Sequence, residues 1–323
     1  MNGNPIPFEE LLRTNRVILG EGAVIERLRR DGTALDPQVV NSALIYDERG
    51  RAALGRICRQ YLEIGREYDL PLLLSTPTWR ASRDRIAAAG LSGRDLNGDN
   101  FRFLDNVRRE YGDYGRRVAI CGLLSCRGDA YRPQEALPAD EACAYHAWQA
   151  DMLARAGVDF LLASTLPALS EATGLARALA ATGLPYLISF VVRPEGTLLD
   201  GTPLRDAVAA IDAAATPRPL AYMVNCTHAS FFRAAIMHEA GSSAAVRERV
   251  VGLLANTAAL SPEELDNSAA LVEEEPARFG RELAALQFEL GLKIVGGCCG
   301  TDDRHIRCLA RELAGRGGCD EKG

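Results

Sequence analysis

The residues best suited to chemistry form the run Gly296–Thr301, in which two adjacent cysteines, Cys298 and Cys299, stand between glycines. Neighbouring side chains of a regular strand point to opposite faces, so both thiols can reach one metal ion only where the backbone leaves strand geometry. The flanking glycines tolerate such a departure. A third cysteine, Cys226, follows the apolar run Ala221–Asn225. Three thiolates from two strand ends suit a zinc site with one open position.

The composition sets broad limits on the class of protein. The chain has 323 residues, of which 47% are hydrophobic, which is enough for a large core. The net charge is −6, with both signs interspersed, so we expect no nucleic-acid partner. No apolar run approaches the roughly 20 residues of a membrane span, and the first residues lack a signal-peptide pattern, so we expect no membrane partner. The nine cysteines show no disulfide spacing, which favours a cytoplasmic, reducing location.

Short apolar runs alternate with longer amphipathic segments along the whole chain. Continuous apolar strands separated by helices indicate a parallel sheet that is covered on both faces. Eight such units in about 300 residues predict a single (β/α)8 barrel. A doubly wound open sheet is the alternative. The predicted strands are Val17–Leu19, Pro71–Ser75, Val118–Leu124, Val158–Ala163, Pro185–Val192, Ala221–Val224, Val250–Ala255 and Leu292–Val295.

Two segments depart from this repeat. The polar stretch Ala89–Tyr114 is interpreted as an insertion after the second unit, with a short helix at Phe101–Glu110. Residues 315–323 are predicted to form a flexible tail after a barrel that spans residues 1–314, and Cys319 is expected to be an exposed bystander.

In such a barrel the chemistry takes place where strands end and the following loops begin. The cysteines at the ends of the sixth and eighth strands should therefore meet at one face of the barrel. The polar residues at the strand ends become candidates for binding substrate, and these are Glu21, Thr76, Ser164, Thr165, Asn225 and Asn256.

These motifs resemble the homocysteine S-methyltransferase family. The resemblance covers about the whole barrel and rests on Gly296–Thr301 with His305-Ile306, on Val224-Asn225-Cys226, on Tyr145–Ala150 leading into Ala156–Asp159, and on Ile188-Ser189-Phe190 with Asp200-Gly201-Thr202. It implies a zinc-containing barrel that methylates a thiol. Zn²⁺ is the implied cofactor, with Cys226, Cys298 and Cys299 as its ligands.

The chain departs from the family at the residues that hold an amino acid. Members usually have an Asp-Gly-Gly type turn after the first strand, where this chain has Gly20-Glu21-Gly22. They carry Glu-Thr after the fourth strand, where this chain has Ser164-Thr165, and the segment after the seventh strand is Ala255–Ala259 instead of a Pro-Asn-Ser-Gly-Glu type. Because an ammonium group needs a carboxylate or several carbonyls in place of water, either Glu21 supplies the acid or the acceptor is another thiol.

The chemistry of the site follows from the thiolates. A free thiol has a pKa near ~8.5, and coordination to zinc removes its proton. Methyl transfer is then an in-line displacement from a donor of the sulfonium or betaine type, catalysed by positioning without a general base. We hypothesise that Trp79, after the second strand, offers a cation–π surface to that donor, although it could equally anchor the loop.

Other readings of these residues stay open. The barrel could be a non-catalytic relative that binds zinc or a small thiol, or Cys298 and Cys299 could form a switching disulfide. His228 is expected to lie outside the metal's ligand set, since three cysteines suffice. The expected partners are a small-molecule thiol and a methyl donor, and the sequence leaves a homo-oligomer open.

Overall fold

A computed structural model describes residues 3–239, 241–260 and 274–315. Eight parallel strands form a closed barrel in the order β1 to β8. The strands are β1 Ile18–Gly20, β2 Leu72–Ser75, β3 Val118–Leu124, β4 Phe160–Leu166, β5 Tyr186–Phe190, β6 Ala221–His228, β7 Val250–Asn256 and β8 Ile294–Gly297.

Helices surround the barrel and connect its strands. They are α1 Phe8–Thr14, α2 Ile25–Arg30, α3 Glu48–Glu67, α4 Arg83–Ala88, α5 Leu96–Arg109, α6 Gly112–Gly115, α7 Ala139–Ala156, α8 Leu169–Ala180, α9 Leu204–Ala214, α10 Ala229–Met237, α11 Ala244–Arg249, α12 Pro276–Leu290 and α13 Asp303–Leu313. Among the described residues, no helix is both long and apolar enough to cross a membrane.

The strands are apolar on both faces because both faces are buried. On β3, Ala119 and Cys121 belong to the cluster inside the barrel, whereas Ile120 belongs to the cluster beneath the helices. Each of the eight predicted runs overlaps a strand, although several strands extend beyond the predicted run, and the barrel fold is confirmed. The barrel closes because β1 pairs with β8, with Leu19 opposite Val295, which is incompatible with the open-sheet alternative.

Helix α1 closes the amino-terminal end of the barrel. Phe8 and Leu11 are buried in the inner cluster, and the Phe8 ring stacks on Phe160 with 3.7 Å between ring centroids. The closed end leaves the carboxyl ends of the strands as the face on which a cavity can form.

The predicted insertion carries a longer helix than expected. Helix α5 begins at Leu96, not at Phe101, because the Asp95 side chain accepts a hydrogen bond from the Gly98 N–H at 3.1 Å and caps the helix. The helix packs between α3 and α7 and therefore forms part of the helical layer. The predicted tail, including Cys319, lies outside the described residues after Gly315.

Candidate active site and metal centre

A cavity of about 410 Å³ opens at the carboxyl ends of the strands. Its lining includes most of the predicted site residues, which are Glu21, Thr76, Ser164, Thr165, Asn225, Cys226, Cys298 and Cys299. Asn256 is the exception, because it is buried near the end of β7 without lining the cavity. The barrel thus brings together residues that are more than 250 positions apart in the sequence.

The three candidate metal ligands lie at the wall of this cavity. The Sγ atoms of Cys226, Cys298 and Cys299 all lie within 4.8 Å of one another. The Cys226 sulfur is 2.7 Å from that of Cys298 and 3.9 Å from that of Cys299. Two ligands of a tetrahedral zinc with bonds of ~2.3 Å are about 3.8 Å apart, which matches the 3.9 Å pair, whereas the Cys226 and Cys298 sulfurs would have to move apart by about 1 Å to share one ion. The donor set fits a metal.

Irregular backbone on β4 and β6 explains how adjacent residues both reach the cavity. On a regular strand Asn225 would follow Ala221 and Met223 into the barrel, and Cys226 would point outward. The pairing of β6 with β7 shifts between Asn225 and Thr227, and Cys226 adopts φ +51°. The resulting bulge re-aims the thiol into the cavity.

The backbone of β4 is irregular in the same way as that of β6. The pairing with β5 shifts after Ala163, and Thr165 adopts φ +61°, so Ser164 and Thr165 both line the cavity. A positive φ is strained for a residue with a β-carbon and costs on the order of 1–3 kcal/mol unless its surroundings hold it.

Asn225 holds the two bulges together. Its Oδ1 accepts hydrogen bonds from the Thr165 N–H at 2.9 Å and the Ser189 hydroxyl at 2.7 Å. Its Nδ2 donates to the Thr165 hydroxyl at 2.7 Å. The side chain therefore fixes the residue that precedes Cys226, and all of these atoms are buried. We interpret Asn225 as an organiser of the site as well as a residue that lines it.

The turn that carries the double cysteine is held by its neighbours. The Cys298 N–H donates to the Ala255 carbonyl at 2.7 Å, and the Thr257 N–H donates to the Cys299 carbonyl at 3.2 Å. The Thr301 hydroxyl donates to the Cys298 carbonyl at 2.6 Å. Gly300 has φ +83°, and a β-carbon there would overlap the Thr257 side chain. Glycine is required at this position for both reasons.

The three sulfurs share their protons unequally. Hydrogen bonds from Cys298 and then from Cys299 hold the pKa of Cys226 well below that of an ordinary thiol. The partner thiols have raised pKa values, because each donates to Cys226. The negative charge on Cys226 also raises the pKa of Tyr131, so that phenol keeps its proton. The lowered pKa of Cys226 favours the thiolate form of this side chain over the thiol.

Glu21 is the buried acid of the cavity. Its Oε1 accepts a hydrogen bond from the Ser75 N–H at 2.8 Å. Burial raises the pKa of its carboxyl to about 7, and the hydrogen bonds of Ser75 only partly offset that effect. A carboxyl with this pKa lies between its neutral and charged forms near neutrality, and a cation beside it would favour the charged form.

The remaining predicted residues differ in their hydrogen bonding. The Thr76 hydroxyl accepts from the Leu123 N–H at 3.0 Å and bonds the Thr78 hydroxyl at 2.7 Å, so it joins β2 to β3. The Ser164 hydroxyl lies 3.1 Å from that of Thr165. The Asn256 Oδ1 is buried with no hydrogen-bond partner among the described residues.

The lining residues that sequence reasoning missed include the acids Glu26 and Asp129 and the phenol of Tyr131. The Glu26 carboxylate accepts from the Gly300 N–H at 2.5 Å, beside Cys299. Asp129 and Tyr131 follow β3, so the rule that selects strand ends could have found them. No recognisable motif marks them.

A second cluster of potential metal ligands lies beyond β6, formed by His228, Glu274 and Glu282. The Arg278 guanidinium already lies 3.0 Å from Glu274 and 2.8 Å from Glu282. A cation therefore already occupies the position between the two carboxylates. His228 is the N-cap of α10 and accepts from the Ser230 N–H at 3.2 Å.

A closed (β/α)8 barrel with a three-cysteine cluster at its open end places the protein among enzymes that act on small molecules bound at the strand ends. The sequence matches the homocysteine S-methyltransferase family over residues 18–313. The chain belongs to this family and is a methyltransferase.

Individual relatives are distant but match nearly the whole chain. Betaine–homocysteine S-methyltransferase 1 of Bos taurus is 25% identical over 332 residues, covering 94% of this chain and 74% of the relative. Homocysteine S-methyltransferase YbgG of Bacillus subtilis is 24% identical, with 94% and 96% covered. The metallated form of the homocysteine methyltransferase MmuM from Escherichia coli has the same fold, with a TM-score of 0.73 at 22% identity, covering 94% and 99% of the two chains.

Proposed function

We propose that this protein is a zinc-dependent S-methyltransferase that moves a methyl group from a cationic donor to the thiol of homocysteine. The observation that carries the proposal is the convergence of Cys226, Cys298 and Cys299 at the wall of one cavity. Seven of the eight described cysteines are free thiols, which favours a reducing, cytoplasmic location, whereas Cys308 is disulfide-bonded.

The three cysteines would hold the zinc ion, and the bound ion would supply a means of keeping the acceptor sulfur as a thiolate at neutral pH. In the displacement, a carbon–sulfur bond to the acceptor forms while the donor's bond from methyl to sulfur or nitrogen breaks. The donor leaves as a neutral thioether or amine. Opposite charges disappear in this step, so a cavity walled partly by Leu123, Leu162 and Leu254 favours it over water.

Glu21 is the candidate partner for the ammonium group of the acceptor. It is the most buried carboxyl of the cavity, and its backbone carbonyl accepts from Gly297, next to Cys298, at 3.0 Å. A buried carboxylate can replace the water that an ammonium group loses on entry. We therefore assign to Glu21 the role that the family gives to an acid after the fourth strand.

Ser164 favours a second candidate acceptor. It lines the cavity with a short neutral side chain where relatives resembling this chain carry an acid. A thiol without an ammonium group would leave no charge unpaired beside this residue. The second candidate is therefore a methyltransferase for a thiol other than homocysteine.

The charge of the cavity supports a cationic donor. Among the described lining residues, Glu21, Glu26 and Asp129 are acids, and Arg29 is the one cation. Trp79 also lines the cavity, with the Arg80 guanidinium over its ring at 4.2 Å from the centroid. The Trp79 ring thus already contacts one cation, that of Arg80. A cationic donor would contact the part of the ring that faces the cavity.

The metal claim is tested by elemental analysis of the purified protein. We expect one zinc per chain, and we expect Cys298→Ser to lose most of it. Cys143→Ser is the matched control, because Cys143 is a free cysteine of helix α7 outside the cluster. A chain that retains full zinc after Cys298→Ser would refute the ligand assignment.

The acceptor is tested with homocysteine, 4-mercaptobutanoate, which lacks the ammonium, and 3-mercaptopropylamine, which lacks the carboxylate. Betaine, S-methylmethionine and S-adenosylmethionine serve as donors. A preference for homocysteine that Ser164→Glu strengthens supports the first candidate. Equal or better use of 4-mercaptobutanoate supports the second, and failure with every pair contradicts both.

The donor site is tested with Trp79→Ala and Trp79→Phe. We expect the alanine variant to raise the KM for the donor with unchanged zinc content, and the phenylalanine variant to retain most donor affinity. An unchanged donor KM in Trp79→Ala would mean that Trp79 only anchors its loop.

A further inference from the structure

Arg29 is the one cation among the described residues that line the cavity, yet the displacement described above gives it no role. Its side chain is exposed in the last turn of helix α2. Within the part of the chain that the structure describes, no hydrogen bond or ion pair holds it. Arg27, two residues earlier, instead donates to the Asp303 carboxylate at 2.8 Å and to the Gln60 side chain at 2.7 Å. The Arg29 guanidinium is therefore available to a ligand.

Hydrogen bonds at and just before the first turn of α2 fix the position of this helix relative to the cysteine cluster. The Glu26 carboxylate accepts from the Gly300 N–H at 2.5 Å. The Ala23 N–H donates to the Thr301 hydroxyl at 3.0 Å, and the Tyr61 hydroxyl donates to the Ala23 carbonyl at 2.8 Å. The start of α2 is thus bound to the turn that carries the double cysteine.

Arg29 follows Glu26 on the same face of this helix. Residues that are three apart in a helix have Cβ atoms about 5–6 Å apart. Both side chains line the cavity, so Arg29 lies one helical turn from the residue that contacts the cysteine turn. Arg29 and the proposed metal ligands, which would bind the sulfur of the acceptor, therefore occupy neighbouring parts of the cavity wall.

The charges of the cavity restrict what Arg29 can bind. The acids of the lining are Glu21, Glu26 and Asp129, and the proposed metal ligands are thiolates. These groups attract a cationic donor, whereas a guanidinium repels it. A substrate carboxylate that enters the same cavity is repelled by the acids and needs a cation in place of the water that it loses. The planar fork of an arginine binds a carboxylate with two parallel hydrogen bonds.

We propose that Arg29 is a specificity-determining residue that binds the carboxylate of the methyl acceptor, so that the enzyme selects thiols that carry a carboxylate. The proposal rests on the proposed transfer of a methyl group to a thiol, and it applies to either candidate acceptor. In homocysteine the ammonium and the carboxylate are attached to one carbon atom, so its site needs an acid and a cation at neighbouring positions. The Glu21 carbonyl accepts from the Gly297 N–H at 3.0 Å, so Glu21 and helix α2 adjoin the same turn. Glu21 and Arg29 supply the two charges.

The test uses Arg29→Met, which keeps much of the apolar length of the side chain and removes the guanidinium. The dissociation constants of homocysteine, 4-mercaptobutanoate and 3-mercaptopropylamine are measured by calorimetry with zinc-loaded protein, which requires no donor and no turnover. We expect Arg29→Met to bind the two carboxylates about 10-fold more weakly, and 3-mercaptopropylamine, which has no carboxylate, as the wild type does. Arg29→Lys should recover part of the loss, because lysine keeps the charge without the planar fork.

Arg30→Met is the matched control, because Arg30 is also an exposed arginine of α2 and does not line the cavity. It should bind all three thiols as the wild type does, and the KM for the donor should be unchanged in Arg29→Met. Equal weakening for all three thiols, or weakening for none, would overturn the proposal. A rise confined to the KM of a donor that has its own carboxylate, such as betaine, would also overturn it.

Binding and turnover fail separately in these measurements. If the wild-type protein binds the thiols and methylates none of them with any donor, the proposed function fails, and the binding comparison still tests Arg29. If the wild type and Arg30→Met methylate homocysteine and Arg29→Met binds it equally well, only the role of Arg29 fails. Failure of the wild type to bind any of the thiols would contradict both.

Discussion

Glu21→Gln should stabilise the protein above neutral pH while weakening acceptor binding. Glutamine is nearly isosteric and keeps an oxygen that can accept the hydrogen bond from the Ser75 N–H. It removes the requirement to ionise a carboxyl that is only 7% exposed. The substitution therefore separates the electrostatic cost of this residue from its packing.

The magnitude follows from the pKa of Glu21, which is about 7 in the folded protein against a reference of 4.5. The folded state binds the proton more tightly, so the contribution of Glu21 to stability is full at pH values below 4.5 and is lost as the pH rises to 7. Between pH 5 and pH 8 this linkage lowers the free energy of unfolding by about 2–3 kcal/mol. The Glu21→Gln variant has no carboxyl at this position, so its free energy of unfolding does not fall for this reason as the pH rises.

The assay is urea unfolding of both proteins at pH 5 and pH 8, with the metal loaded equally. The stability of Glu21→Gln relative to wild type should rise by about 2–3 kcal/mol between these pH values. Glu9→Gln, at an exposed position of α1, is the matched control and should show no such change. A pH-independent difference between Glu21→Gln and wild type would refute the burial argument.

The same variant tests the binding role. Losing a charged hydrogen-bond partner of about 1.5–3 kcal/mol should raise the KM for homocysteine by about 10- to 100-fold. The KM for 4-mercaptobutanoate should change little, because this thiol has no ammonium group. An equal effect on both acceptors would mean that Glu21 shapes the cavity without pairing with the ammonium.

Three further substitutions test the frame around the site. Asn225→Ala removes the side chain that joins the bulges and should lower zinc affinity or activity by about 10- to 100-fold, measured by chelator competition and turnover. Gly300→Ala should lose zinc and lower Tm, because a β-carbon overlaps Thr257, whereas Gly90→Ala, at φ +71° with open space around it, should retain zinc. Arg108→Met leaves the Asp159 carboxylate without its ion-pair partner, while Asp105 keeps Arg109, and should cost about 3 kcal/mol in chemical unfolding, with zinc stoichiometry unchanged in the folded fraction.

The barrel could be predicted from the sequence because its strands are buried on both faces. Such strands give continuous apolar runs, and each run is separated from the next by a helical pattern. The polar segment that contains α5 was harder to interpret, because that helix exposes a charged face and its start depends on a single cap at Asp95. This helix contacts β3 and the residue before β4 through the buried guanidinium of Arg108, which donates to the Val118 carbonyl and the Asp159 carboxylate. A pattern of hydrophobic residues does not reveal such a polar contact.

The three-cysteine cluster could also be predicted, because cysteines beside glycines at strand ends are rare. The positive φ values of Thr165 and Cys226 could not, since neither residue type favours that conformation. They arise from pairing shifts between neighbouring strands and from the hydrogen bonds of Asn225. Tyr131 was missed for a related reason. Its loop is held by the Glu171 carboxylate, which accepts a hydrogen bond from the Arg127 N–H and lies 40 residues after Tyr131 in the sequence.

The raised pKa of Glu21 affects which groups of the cavity are charged before and after the acceptor binds. Glu21 shares the cavity with the thiolate of Cys226, so a second ionised group there would add to the negative charge of the cluster. With a pKa of about 7, the empty cavity can keep Glu21 protonated and avoid that repulsion. An entering ammonium group would favour the carboxylate. Because Glu21 is about half protonated near pH 7, acceptor binding should release about half a proton from Glu21 in addition to the proton of the thiol. Calorimetric titration of homocysteine in buffers of different ionisation enthalpy measures this release directly, and Glu21→Gln should lower it by the share of Glu21 while the share of the thiol remains.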